Sequence, residues 1–210
     1  MSKIERIKCG NGNVYLVYDG DNAILVDTCR EQFRDVILER CKTKNIRLIV
    51  LTHGHVDHVQ NAAYLSKELD VPIAMHKGDY DLIKDNRLEP MSANKPLGKI
   101  ILKLSQKSFE RDKIDQFEAP IFLSDGDTLN EYGIDGKIIG LHGHTKGSIG
   151  IIVGKADVIV GDALMNMIRP TKSLLYGDKT VMERSAARIS SLGDVTIHFG
   201  HGKPVKNRDW

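Results

Sequence analysis

Residues 52–61 read THGHVDHVQN and follow directly on the apolar run IRLIVL at 46–51. The segment packs His53, His55, Asp57 and His58 together at the end of what reads as a buried strand. Polar groups crowded at such a place must be desolvated and satisfied, so the cluster is unfavourable unless it binds something. His53 and His55 are two residues apart, which on an extended segment puts both imidazoles on one face and lets both reach one ion. Asp57 and His58 lie where the chain turns into a helix; they escape that alternation and can address a second position nearby. A short HxHxDH string can thus feed two metals, but zinc takes about three or four ligands per ion. Further ligands must come from elsewhere in the chain.

Candidates are present at three places. LHGHTKGSIG at 141–150 offers His142 and His144, VIVGDAL at 158–164 places Asp162 at a strand end, and FGHGKP at 199–204 puts His201 in a glycine-rich turn. Glycine lets the backbone fold sharply around each of them. His76 and His198 have no evident place in such a set and read as structural, with pocket-lining as the alternative, and Asp125 and Asp127 in SDGDTL read as turn residues.

Outward from the cluster, three short strands at 4–9, 13–18 and 22–27 are separated by GNGN and DGDN, which supply hairpin turns. EQFRDVILERCKTK then reads as a helix feeding the strand RLIVL; residues 58–69 read as another helix and VPIAM as a strand opened by Pro72. After residue 119 the pattern begins again, with glycine-punctuated strands, a helix over KTVMERSAARISSL and a last strand VTIHFG. Two β-rich halves, each closing on a helix and a strand, predict an α/β fold in four layers, with two mixed sheets packed face to face and helices outside. One domain over 1–210 is expected, with an insertion at about 85–119. Within it Lys95, Lys99, Lys103 and Lys107 recur every four residues opposite Leu97, Ile100, Ile101 and Leu104, the pattern of a basic amphipathic helix. The leading expectation sets its apolar side on the core; the alternative is a lid over a pocket or a contact for an anionic partner.

Composition narrows the classes. Thirty basic and 28 acidic residues leave a net charge of +2, without the field of a dedicated nucleic-acid binder, so no nucleic-acid partner is expected. MSKIERIKCG lacks the apolar stretch of a signal peptide and no uncharged run is long enough to span a bilayer. Cys9, Cys29 and Cys41 form no CxxC pair and are odd in number, which fits reduced thiols. A cytoplasmic protein without a membrane span is expected, and the sequence assigns no oligomeric state.

Taken in order, LVDTC at 25–29, THGHVDH, GHTKGS, the GD of 161–162 and the GHG of 200–202 resemble the motif series of the metallo-β-lactamase superfamily over nearly the whole chain. The resemblance implies the αβ/βα sandwich. It further implies that His53, His55 and His144 hold one metal, that Asp57, His58 and His201 hold the other, and that Asp162 bridges them. In the family the satellite ligand is the histidine directly before the threonine, here His144 before Thr145, which leaves His142 to support the site from behind or to serve as a structural residue. Asp27 is expected to brace the site from behind its ligands. Cys29 stands where the family usually has glycine and is expected to ask for a less strained backbone, with its thiol near the metals.

Two divalent ions roughly 3.5–4 Å apart can share a bridging hydroxide ready to attack, so a serine or cysteine nucleophile is not required. The expected protein is a dinuclear metal-dependent hydrolase, with zinc the leading metal and iron or manganese as alternatives. Its substrate is a small ester, lactone or thioester, and Asp57 orients the nucleophile and moves a proton. The loop MNMIRPTKSLLYGDK at 165–179 is expected to form a pocket wall, with Arg169, Lys172 and Tyr176 as substrate-binding candidates. A glutathione thioester is disfavoured, because Ser148 replaces the histidine usual in glyoxalase II and the chain stops nine residues after His201. Two other classes compete: a mononuclear iron persulfide dioxygenase using His53, His55 and His144, and a metal-binding protein without rapid turnover.

Overall fold

The computed structural model describes residues 2–210. Strands β1 (Lys3–Cys9), β2 (Gly12–Asp19) and β3 (Asn22–Val26) form the expected antiparallel meander. Its turns pass through Gly10 and Gly20, both at φ near 60° (64° and 60°), a conformation that L side chains resist. Helix α1 (Arg34–Cys41) returns the chain to β4 (Asn45–Val50), which lies parallel to β3. The helix expected over 58–69 is instead two pieces, α2 (Val56–Val59) and α3 (Ala62–Leu69). The break falls at Asn61, whose side-chain amide donates to the carbonyls of Thr28 (2.8 Å) and Arg30 (2.7 Å). Strand β5 (Ile73–Met75), helix α4 (Pro96–Arg111) and strand β6 (Ile121–Phe122) complete the first half, and the sheet order is β1-β2-β3-β4-β5-β6.

In the second half, β7 (Gly136–Gly140), β8 (Ile149–Val153) and β9 (Asp157–Ile159) form an antiparallel meander. A short ribbon, β10 (Leu164–Met165) with β11 (Thr171–Lys172), leads to α5 (Lys179–Ser190), β12 (Thr196–His198) and β13 (Val205–Lys206). The second sheet runs β13-β12-β9-β8-β7, with β12 parallel to β9.

Alternation along each strand sorts side chains into three apolar layers. Leu16, Leu25 and Ile49 face α1 and α3; Tyr15, Val17, Ile24, Val26 and Val50 face the second sheet and meet Ile138, Ile149, Ile151 and Ile159. Ile139, Val158 and Ile197 pack outward on Ala186 and Ile189 of α5. Helix, sheet, sheet and helix are the four layers expected from the sequence.

Strand direction places the site. β3, β4, β7, β9 and β12 all run the same way, so the loops bearing Asp27, His53–His58, His144, Asp162 and His201 leave one end of the sandwich. The sheets are tied there: the Tyr15 hydroxyl and the Asn13 amide donate to the Phe199 carbonyl (2.7 and 2.9 Å), and the amide of Ile149 donates to the Thr52 carbonyl (2.9 Å).

Helix α4 departs from the leading expectation. Leu97, Ile100 and Leu104 are 39, 60 and 62% exposed, and the helix spans the mouth of the ligand loops rather than the core. It is fastened at both ends. Gly98 packs so closely that a Cβ would meet the Leu174 carbonyl at 2.8 Å, and Arg30 pairs with Asp112 and donates to the Ser108 hydroxyl (2.9 Å). Helical period identified the apolar residues but not what they face.

Candidate metal centre

The loops bring His53, His55, Asp57, His58, His144, Asp162 and His201 together. Three groups have ligand atoms mutually within 4.8 Å: His53 with His55 and His144; His53 with His58 and Asp162; Asp57 with His58 and His201. Asp162 reaches across them, with Oδ1 3.5 Å from His58 Nε2 and Oδ2 3.3 Å from His201 Nε2 and 3.8 Å from His144 Nε2. All are buried except Asp57, whose side chain is 27% exposed and faces the cavity.

Partners behind the rings aim them. His58 Nδ1 lies 2.8 Å from an Asp27 carboxylate oxygen, His144 Nδ1 2.9 Å from the Leu175 carbonyl, and His201 Nδ1 3.0 Å from the Asn11 carbonyl. Each contact holds the proton on Nδ1 and turns the Nε2 lone pair inward. His55 differs, because its Nδ1 faces His144 Nε2 at 3.1 Å while its own Nε2 has no partner. With the His144 proton held on Nδ1, the 3.1 Å contact sets a lone pair against His55, a geometry that a shared cation satisfies.

The unpartnered atoms test the fit of a metal. His53 Nε2, His55 Nε2, His58 Nε2 and Asp162 Oδ1 are buried and make no hydrogen bond. Each such group costs roughly 1–3 kcal/mol, so four of them rival the whole stability of a domain, about 5–15 kcal/mol. Imidazole and carboxylate are a borderline-hard donor set suited to zinc, iron or manganese.

Electrostatics divides the histidines. Burial, reinforced by its cationic neighbours, holds His53 well below the usual imidazole range, and burial next to His144 lowers His55 to about 3. Burial also acts against protonation of His58 and His201, but carboxylates outweigh it. Asp27 and Asp162 push His58 up to about 9, and Asp162 and Asp57 hold His201 well above its ordinary value. Desolvation works against ionisation of Asp57 and Asp162, but His201 and His58 hold both carboxyls well below the usual range.

Several positioning residues escaped the sequence reading. Asp79 accepts from the Gly54 amide (2.8 Å), the Thr145 hydroxyl (2.6 Å) and the Gly147 amide (2.5 Å), tying the HxH loop to the loop of His144. Asn86 joins the Val56 amide to the Gly54 carbonyl, and Glu89 accepts from the Lys146 amide. These lone polar residues lie in a stretch without periodicity, and only the fold places them. Asp27 behaves as expected, accepting also from the Thr52 amide at 2.8 Å. Cys29 does not: it keeps φ at 54°, the left-handed region that glycine favours, so the backbone there is no more relaxed for carrying a thiol. Its Sγ donates to the Cys9 carbonyl at 3.7 Å and lines the cavity with His55 and His201.

The other candidates fall outside the cluster. His198 pairs with Asp157, and the His76 ring nitrogen caps a turn by accepting from the Gly78 amide. His142 packs against His76 with ring centroids 5.0 Å apart. Asp125 accepts from the Gly140 amide and Asp127 from the Ser124 amide, as turn residues do. Lys172 is paired with Glu183; Arg169 lines a neighbouring pocket; Tyr176 is buried with its backbone bonded to Ser92 and is absent from the cavity wall. The 165–179 loop contributes instead Met165, Met167 and Leu175. With Ile101, Leu104 and Phe109 of α4 they enclose a cavity of about 410 Å³, where Phe109 stacks on His55 at 5.1 Å.

Gly200 shows how tight the packing is, since a Cβ there would meet Asp162 Oδ1 at 2.3 Å and His58 Cε1 at 2.7 Å. Gly200→Ala is expected to lower metal affinity by about 10- to 100-fold, the scale of disturbed ligand orientation, while leaving the far-ultraviolet circular dichroism unchanged. Chelator competition measures it, and native affinity in the variant would contradict the packing.

Comparison with known proteins gives the family. The model of the metallo-beta-lactamase superfamily matches residues 7–201. The probable metallo-hydrolase YflN of Bacillus subtilis (strain 168) is 24% identical, over 94% of this chain and 83% of its own. The hydroxyacylglutathione hydrolase GloC of Haemophilus influenzae is 28% identical, over 90% of this chain and 85% of its own. Among solved structures, the BLEG-1 B3 metallo-beta-lactamase superposes with a TM-score of 0.76 at 20% identity, covering 97% of this chain and 94% of its own. TTHA1623 in a di-iron-bound form superposes with a TM-score of 0.71 at 25% identity, covering 96% and 94%. With the family model matched over residues 7–201, the chain belongs to the metallo-β-lactamase superfamily.

Proposed function

We propose that the chain is a dinuclear metal-dependent hydrolase of a small ester, lactone or thioester. His53, His55 and His144 would hold one ion, Asp57, His58 and His201 the other, with Asp162 between them. The observation that carries this reading is the reach of Asp162, whose two carboxylate oxygens approach imidazoles of both trios. A relative solved in a di-iron-bound form supports two ions and keeps iron beside zinc and manganese as the metal. When bound, such ions supply Lewis acidity and bring a water's pKa toward neutrality.

The chain's own residues supply the rest. Of the two carboxylates of the cluster that line the cavity, Asp57 is the more exposed, 27% against 6% for Asp162; it orients water and moves a proton between that water and the leaving atom. Ile101, Leu104, Phe109, Met165 and Leu175 make an apolar wall that excludes bulk water and suits an acyl group. Ser148 holds the turn after His144, accepting from the Thr145 amide at 3.0 Å, and supports no particular thiol. A relative named for hydroxyacylglutathione hydrolysis, matched over 85% of its length, removes the argument from chain length and returns glutathione thioesters to the candidate substrates. No helix among the described residues is long and apolar enough to cross a membrane, and three free thiols fit the reducing cytoplasm.

The test is metal analysis of protein purified without added metal, followed by ester, lactone, thioester, β-lactam and phosphodiester substrates on the same sample. About two ions per chain and turnover of a carboxylic ester or thioester are expected. A single iron per chain with persulfide-dependent oxygen uptake would replace hydrolysis with oxidation. Full loading without turnover of any substrate would leave a binding protein.

A further inference from the structure

Beside the metal cavity runs a second groove of about 520 Å³, lined by Arg6, Lys8, Lys203, Asn11 and Asn166 and, among the described residues, by no carboxylate. It shares Gly10, Asn11 and Met167 with the metal cavity, so one ligand can occupy both. Strand geometry builds it. Ile4 of β1 packs toward the second sheet, and alternation puts Arg6 and Lys8 on that same face, beyond the end of the inter-sheet core. The Arg6 guanidinium donates to the Gly202 carbonyl (3.0 Å), which pins it beside the turn of His201, and Lys203 extends from that turn. Asn11, whose carbonyl aims His201, links groove and centre. The whole chain carries only +2, so three cations without an acid are a local concentration of charge.

We infer that the substrate's leaving group is anionic and lies in the groove of Arg6, Lys8 and Lys203, with its apolar acyl part under α4. This rests on the hydrolase reading above. The two walls differ in kind: an alkyl chain among three cations would strip them of water without return, whereas an anion replaces that hydration. Asp57 lies 3.5 Å from Nε2 of His201, whose Nδ1 is held by the carbonyl of the groove residue Asn11, so the carboxylate that moves the proton is one ring away from the groove. For a thioester, water adds to the acyl carbon and passes a proton to Asp57. The carbon–sulfur bond then breaks with its electron pair on sulfur, and Asp57 returns the proton there. The products are a carboxylic acid, ionised at neutral pH, and an anionic thiol.

The experiment compares octanoyl thioesters of mercaptopropanesulfonate and phosphopantetheine, which differ in reach, with that of neutral mercaptopropanol. Wild type is set against the double variant Lys8→Glu/Lys203→Glu, both exposed positions. At low salt, kcat/KM for at least one anionic thioester is expected to exceed the neutral one by about tenfold, a ratio that falls toward one in added salt and below one in the variant. Binding of the two free anionic thiols, measured by calorimetry, should weaken about tenfold in the variant. Equal turnover of neutral and anionic thioesters by wild type, or a preference that survives the double variant, overturns the inference. Lysine-dependent thiol binding without turnover of any thioester would instead remove the hydrolase reading and leave the anion groove standing. Neither turnover nor lysine-dependent binding removes both.

Discussion

Asp162→Ala is expected to leave the protein with no more than one ion per chain and to reduce turnover to the level of the uncatalysed reaction. The carboxylate is the common neighbour of His58, His144 and His201, at 3.5, 3.8 and 3.3 Å. Among the described residues no other acid is placed within ion-pair distance of both trios: Asp57 faces His201 and the cavity, and Asp27 stands behind His58. The substitution also acts on protein stripped of metal, where removing one partner of a buried ion pair costs about 3–5 kcal/mol. That loss has a pH signature. His58 titrates at about 9 in the fold, above its ordinary value, and His201 is raised as well, so the stability they contribute is fully present below the unfolded imidazole range. It is lost as pH rises through their folded values. The difference in unfolding free energy between wild type and Asp162→Ala should be largest near pH 6, decline as pH rises past the unfolded imidazole range, and be smallest once pH has passed the folded values. Metal content by emission spectroscopy and denaturant titration of the chelated protein give the two readouts. Two ions retained, or a stability gap independent of pH, would show that Asp162 does not join the trios.

How much of this was legible in the sequence follows from distance along the chain. The candidate ligands of the HxHxDH string are contiguous, and the candidate satellites each sit beside a glycine, so chemistry and spacing expose them together. The sheets were legible for the same local reason: Tyr15 and Val17 alternate with Val14 and Leu16, and period two needs no tertiary knowledge. Helix α4 was half legible, because period gives a stripe and only the fold reveals that the stripe rims a cavity. The break at Asn61 could not be read, since an asparagine inside a helical pattern looks ordinary until three carbonyls from the 28–30 loop surround it. Tyr176 failed for the opposite reason. It carries the right functional group in the right loop, yet it is buried with its backbone paired to Ser92, and the neighbouring Leu175 lines the cavity instead. The residues that aim the ligands from behind were hidden most completely, because a carboxylate 25 positions from its glycine partner has no pattern to betray it.

Asp79 tests that last point, and its substitution is expected to damage one metal position more than the other. Its carboxylate is fully buried; burial lifts its pKa, while the Thr145 hydroxyl and the amides of Gly54 and Gly147 hold it back. Asp79→Ala leaves those three donors unsatisfied at roughly 1–3 kcal/mol each, so a loss on the order of 5 kcal/mol is expected. Asp79→Asn is the sharper probe, since it keeps the shape and one acceptor but turns an NH2 group toward a donor. Gly54 lies between His53 and His55, and Thr145 follows His144, so the points that Asp79 joins flank ligand candidates of a single trio. Glycine is required on both sides: a Cβ at Gly54 would meet the Asp79 carbonyl at 2.9 Å, and one at Gly147 would meet Asp79 Oδ1 at 2.5 Å. Loosening this clamp should weaken the ion of His53, His55 and His144 by about 10- to 100-fold. The ion of Asp57, His58 and His201, braced by Asp27 and Asn11, should bind within a few-fold of its native strength. Stepwise metal titration of Asp79→Asn separates the two. Glu89→Gln, which touches only the Lys146 amide within the same loop, controls for general loosening. Equal weakening at both positions, or the same pattern in Glu89→Gln, would mean that Asp79 supports the fold at large; weakening confined to one position means that it sets the distance between two ligand loops.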